Sequence, residues 1–147
     1  MIATLTVNIY FYSKNLELTI SSRRANISIL IESKIYPVTT DYMNLTFNGY
    51  LRNEGSRATM IKAIEFGLIF PFDTMDQLVI SFQYLGDITS ALTWEDSTLI
   101  EEQTRPFVLT GQTYNDWNLT SPEEGFVRII HDDGISVQEQ TKTFPLE

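Results

Sequence analysis

The sequence has 147 residues, no cysteine, 43% apolar and 12% aromatic content, and a net charge of −9 from ten bases and nineteen acids. That is one domain's worth of chain, long enough to bury roughly two-thirds of its unfolded surface and too apolar for disorder. The missing thiol removes disulfides, cysteine nucleophiles and thiolate metal sites, and the acids, which outnumber bases eleven to three over residues 95–147, argue against nucleic acid and anionic lipid as partners.

In chain order, Leu5, Val7, Ile9 and Phe11 alternate with Thr4, Thr6, Asn8, Tyr10 and Tyr12, the period of a strand with one buried face. Ser13-Lys14-Asn15 turns the chain, Leu16, Leu18 and Ile20 repeat the alternation, and Ser21 to Arg24 reads as a polar loop. Ala25 to Tyr36 is the next strand, carried by Ile27, Ile29 and Ile31, and Pro37 closes it because proline cannot donate to a ladder. The pattern is strongest from 43 to 70. Met43, Leu45, Phe47 and Leu51 alternate with Asn44, Thr46, Asn48 and Arg52, and Asn53-Glu54-Gly55-Ser56 breaks the run with turn-forming residues. Met60, Ile64, Phe66, Leu68 and Phe70 then resume in one phase. Lys62 does not fit that phase, which predicts a bulge or an edge near Lys62-Ala63.

Pro71 to Asp76 is a loop, Leu78, Ile80, Phe82 and Tyr84 make a short strand ended by Gly86-Asp87, and Ile88 to Trp94 reads as a less regular strand. Leu99 to Thr110 is an edge turn leading into a strand with Pro106 at its start, and Gly111 to Gly125 is the longest loop. Ser121-Pro122-Glu123-Glu124 has the form of a helix start, whereas Phe126 to Ile130 is rich in strand formers. The Asp133-Gly134 pair that follows favours a hairpin. The expectation is a single domain over residues 1–147, all-β, an immunoglobulin-like antiparallel β-sandwich of seven to nine strands. No apolar run approaches the ~20 residues of a membrane span, so no direct span is expected in this chain.

Three stretches carry a resemblance. Asn53-Glu54-Gly55-Ser56 leads into Ile61-Lys62-Ala63-Ile64-Glu65; Leu99 to Leu109 has an apolar, turn, Thr, Phe-x-Leu pattern, without the glycine usual in that turn; Phe126 to Val137 is a hairpin around Asp133-Gly134. Over residues 43–143 the chain resembles the immunoglobulin-like sandwiches of exported prokaryotic proteins. Among these are the soluble domains of archaellin-like proteins and of the archaellum periplasmic stator and accessory proteins (FlaF and FlaG). The resemblance implies an extracytoplasmic domain, at the cell surface or in the pseudo-periplasm, that serves motility by contacting a sister subunit or the S-layer. It also implies an N-terminal anchor. Met1-Ile2-Ala3-Thr4 has the form of neither anchor nor signal peptide, so an anchor or signal outside the present sequence is expected.

The functional expectation is a non-enzymatic protein-protein interaction module, homo- or hetero-oligomeric, with no catalytic residue, metal or cofactor. His131 is the only histidine, and beside Asp132-Asp133-Gly134 it is expected on an exposed hairpin tip. No Gly-x-Ser-x-Gly elbow, calcium-loop spacing or phosphate-binding glycine loop is present. The candidate interface is the outer set of the first strand, Thr6, Asn8, Tyr10 and Tyr12, together with Phe107, Val108 and Leu109. Both stretches are uncharged and read as poorly defended edges open to strand addition. Asn26, Asn44 and Asn118 head Asn-x-Ser/Thr sites for glycosylation, Asn118 being the most accessible by its place in the long loop. Two alternatives stand beside this reading: a carbohydrate-binding module stacking sugars on Trp94, Tyr114 and Trp117, and a virion structural protein.

Overall fold

In the computed structural model, which describes residues 4–13, 25–72, 76–85 and 88–146, the alternating stretches become strands. They are β1 (Thr4–Ser13), β2 (Ile27–Ile35), β3 (Tyr42–Asn53), β4 (Thr59–Pro71), β5 (Asp76–Leu85), β6 (Thr98–Leu99), β7 (Thr104–Tyr114), β8 (Glu124–Asp132) and β9 (Val137–Pro145). One helical turn, α1 (Thr89–Leu92), lies between β5 and β6. The strands form an all-β antiparallel sandwich. One sheet runs β1-β5-β4-β8-β9, with the short β6 paired to the start of β4, and the facing sheet runs β2-β3-β7.

The period of two sends Met43, Leu45, Phe47 and Leu51 of β3 inward, to meet Ile64, Phe66, Leu68 and Phe70 of β4 and Leu78, Ile80 and Phe82 of β5. Phe47 is the contact between the sheets: its ring meets Phe66 edge-on at 6.2 Å and Phe144 of β9 edge-on at 5.0 Å. Phe66 in turn stacks on Phe82 at 5.4 Å. Glycine makes room for these rings, since a methyl group at Gly125 would lie 2.6 Å from Phe144 and one at Gly111 2.6 Å from Phe82. Three strands do not cover five. Leu5 and Val7 pair with Tyr84 and Phe82 on the inner side of β1, yet both remain exposed.

The expected bulge is present, as a register shift between Ile61 and Ala63. Its consequence reaches further than the sequence reading. The extra residue inverts the phase, so Thr59 and Ile61 point inward before it and Ile64 and Phe66 after it, and Met60 is exposed instead of joining the core. Residues 88–94 are not a strand. Ile88 and Leu92 are spaced as on one helix face, Leu92 N–H donates to the Ile88 carbonyl at 3.0 Å, and both side chains are buried. β7 continues to Tyr114, which shortens the long loop to 115–123. No helix starts at Ser121, because Glu123 N–H donates to the Ile69 carbonyl at 2.7 Å and extends the β4–β8 ladder. The expected strand on Leu16, Leu18 and Ile20 and the loop at Arg23-Arg24 lie outside the described residues. Among the described residues no helix is long and apolar enough to cross a membrane.

Truncating Phe47 or Phe66 to Ala removes ring contacts that join the sheets. Each substitution should cost about 3–5 kcal/mol of stability in denaturant melts, and a loss under about 1 kcal/mol for both would contradict this packing.

Candidate functional site

The two ends of the sandwich are closed by buried asparagines. Asn53, at the end of β3, accepts from Gly55 N–H at 2.9 Å and Asn26 N–H at 3.4 Å, and its amide donates to the carbonyls of Arg57 at 2.6 Å and Leu99 at 3.0 Å. This side chain satisfies the turn that the sequence marks as Asn53 to Ser56. At the opposite end, Asn115 donates to the carbonyls of Thr39 at 2.7 Å and Leu119 at 2.8 Å and accepts from Leu119 N–H at 2.9 Å. The 115–119 turn is thereby tied to the segment before β3.

His131 is in the core, not on a hairpin tip. The alternation of β8 that buries Val127 and Ile129 buries His131 as well, and the tip is formed by residues 133–136, where Gly134 has φ 89°. Ile27 N–H donates to Gln140 Oε1 at 2.9 Å, which fixes the orientation of that amide. His131 Nε2–H therefore donates to the same oxygen at 2.6 Å, and Nδ1 accepts from the Thr59 hydroxyl at 2.7 Å. Both ring nitrogens are used. Burial pushes the imidazole below the ordinary histidine value, against the opposing hydrogen bond to Gln140 and the charges of Asp133 and Asp132. Among the described residues no group of three or more His, Asp and Glu is placed to hold a metal. Two carboxylates do converge on the outer side of the larger sheet. Arg128 pairs with Glu65 and, at 3.5 Å, with Glu139, while Ser81 donates to Glu65 at 2.8 Å, so the cation lies between them.

The expected interface is only partly assembled. Phe107 and Leu109 face inward and are buried, because β7 alternates; Val108 alone of the three faces solvent, at 50% exposure. The free edge of β7 is also better defended than its lack of charge suggests. Pro106 has no N–H, its carbonyl accepts from Trp94 Nε1–H at 2.6 Å, and the Thr110 carbonyl accepts from the Tyr84 hydroxyl at 3.1 Å. Trp94 is buried beneath the Arg105 guanidinium, 4.3 Å from the ring centroid, and is unavailable as part of an exposed platform. Thr6, Asn8, Tyr10 and Tyr12 lie on β1, which pairs only with β5 among the described strands, at the register of Gln83, Ser81, Val79 and Gln77; their side chains lie outside what is described.

What the sequence reading missed is a sheet face. Cross-strand register aligns Leu30 with Tyr50 and Pro106, Ser33 with Asn48 and Val108, and Ile35 with Thr46 and Thr110 on the outer side of β2-β3-β7. None of these positions is charged at neutral pH. Leu30 is 61% and Ile35 58% exposed. At the middle of the face, the Asn48 side-chain oxygen is shielded from solvent and has no hydrogen-bond partner. The signal was present in the residues but needs the register to be seen, because the positions come from three separated strands. Beyond this face, toward the Asn115 end, Tyr42 sits opposite Tyr114. Two shallow depressions lie at this end, one of about 360 Å³ lined by Tyr42, Gln112, Thr113 and Tyr114. The other, of about 310 Å³, is lined by residues that include Thr39, Thr40, Asn118 and Thr120. Of the three glycosylation acceptors Asn118 is exposed, with φ 53°, whereas Asn26 and Asn44 are half-buried.

No family model, curated protein or solved structure matches the chain.

The lowered His131 value has a thermodynamic consequence. The unfolded chain takes up a proton near the ordinary histidine value of 6.5 while the folded chain does not, so this group's share of stability is present above 6.5. It is lost as pH falls from there toward the folded value. Thermal melts of the parent and of His131→Gln from pH 8 to pH 5 should therefore differ in slope, the parent losing stability faster on acidification; parallel profiles would refute the assignment.

Proposed function

We propose that this protein is a non-enzymatic, extracytoplasmic protein-protein interaction module that associates through the outer face of β2-β3-β7. The observation that carries the reading is the absence of charge from three adjacent rows of that face, bounded by Arg52 in the next row and by Glu32 at the β2 bulge, in a chain with 20% charged residues and a net charge of −9. The occupant is a second copy of this chain. Two copies approaching by any acidic part of the surface repel each other, whereas the uncharged central rows of two such faces meet without that cost and remove Leu30, Ile35 and Val108 from water. In the archaellum setting that the sequence resemblance implies, the same face would serve for a sister subunit or the S-layer, with the acidic surface left outward. That setting rests on the resemblance alone.

Sedimentation equilibrium at several salt concentrations tests the reading. Self-association should strengthen with salt, which screens the residual like-charge repulsion. Val108→Lys should stay folded, because the side chain faces solvent, and should weaken association at least about tenfold, equivalent to about 1.4 kcal/mol. A strict monomer at high protein and salt concentration would remove the proposal.

A further inference from the structure

The exposed aromatic side chains are not scattered. Among the described residues the large aromatics that stand exposed are Tyr42, Phe72, Tyr114 and Trp117, and all belong to the Asn115 end of the sandwich. There β3 begins, β4 and β7 stop, and the 115–123 turn crosses. The opposite, Asn53, end exposes Ile100 and Ile135 but no aromatic ring.

Tyr42 and Tyr114 are direct cross-strand partners, which brings their Cβ atoms to within about 5.5 Å on one side of the sheet. Tyr114 is 76% exposed and Trp117 46%. The tyrosine hydroxyls have no hydrogen-bond partner among the described residues. Asn115, held by three side-chain hydrogen bonds, orders the backbone of the turn that carries Trp117 before any ligand arrives. The polar groups in the depression that Tyr42 and Tyr114 line, Gln112 and Thr113, are uncharged, and so are those in the second depression, where Thr39, Thr40, Asn118 and Thr120 stand with Val38 and Leu119. Neither depression is lined by Lys or Arg, which disfavours phosphate and carboxylate ligands. Their volumes, about 310 and 360 Å³, lie at the lower end for small-molecule sites.

We infer that this end of the sandwich binds a neutral saccharide chain, whose apolar ring faces stack on Tyr114 and Trp117 while its hydroxyls bond to the amide and hydroxyl side chains alongside. Aromatic faces take up the C–H surface of a pyranose, and amides and hydroxyls both donate and accept, as a sugar hydroxyl requires. The site adjoins the rows through which copies associate on the same outer side of the sheet, Gln112 lying two residues, about 7 Å, along β7 from Thr110. It goes beyond the interaction reading and does not depend on it.

Native electrophoresis through gels containing galactomannan, mixed-linkage β-glucan, xylan or pullulan, with alginate as an anionic control, tests the inference. At least one neutral polysaccharide should retard the protein. Tyr114→Ala and Trp117→Ala should each weaken that retardation about tenfold while leaving thermal unfolding unchanged. Tyr114→Phe, which keeps the ring, should bind within about twofold of the parent, and Val108→Lys should bind as the parent does. No retardation in any of the four neutral gels overturns the inference, and so does equal retardation of the parent and Tyr114→Ala. If Tyr114→Ala instead abolishes self-association and leaves retardation intact, the ring belongs to the protein-contact face and the inference fails while the interaction reading survives.

Discussion

A buried backbone N–H or C=O must find a partner, and where the strands of this sandwich stop the partner is a side-chain amide. Asn53 and Asn115 close the two ends of β3, each reaching backbone groups of more than one segment. Gln140 does the same between the sheets, accepting from Ile27 N–H of the smaller sheet and from His131 of the larger. These amides replace regular ladder bonds where the chain must leave the ladder. Removing one leaves two or more buried polar groups without a partner at once, which is costlier than losing a single exposed hydrogen bond. They also bear on function, because Asn115 fixes the turn that presents Trp117.

The second constraint is the unequal width of the sheets. Three strands over five leave an overhang, and each flank of the smaller sheet is sealed differently. On the β2 side, Tyr36 donates to the Leu146 carbonyl at 2.7 Å and Lys34 to the Pro145 carbonyl at 3.3 Å, tying β2 to the end of β9. On the β7 side, Trp94 and Tyr84 cap outward carbonyls, and Arg105 covers the indole. Both flanks of the small sheet are thus occupied within the chain. Its outer face is not, and Leu30, Ile35 and Val108 stand in water there.

The strands were legible where one side of a strand is buried and the other is not. β3 follows a strict period of two, and Lys62, out of phase in the sequence, marks the bulge in β4. What the bulge does to Met60 was not legible, because a phase inversion moves residues only on one side of a break whose position is uncertain by a residue. Ile88 to Trp94 is apolar enough for a strand, and its helical turn emerges only from the Ile88–Leu92 contact with the core. His131 was misplaced for a related reason. The Asp-Gly turn was read correctly, but the length of β8 before it, and so the inward phase of residue 131, depends on pairing with β4. The burial of Trp94, which the alternative sugar-stacking reading needed exposed, was not legible because its partner, the Pro106 carbonyl, lies twelve residues along the chain in β7.

The same dependence on register explains why the candidate surface could not be read from the chain. Leu30, Val108 and Ile35 are each unremarkable beside their sequence neighbours: Glu32 and Lys34 stand near two of them and Arg105 near the third. Only pairing places Leu30 with Tyr50, Asn48 with Val108, and Thr46 with Ile35, and so produces rows without charge. A soluble surface is ordinarily about 25–35% charged residues, whereas the three central rows of this face hold none, charge entering only at Arg52 and at Glu32 of the bulge. The absence of acids from these rows has two effects that act together. It lowers the desolvation cost of covering that face, since no ion must be stripped of water. It also leaves the acids to oppose every other approach of a like copy, so the neutral face is selected by attraction at the contact and by repulsion elsewhere.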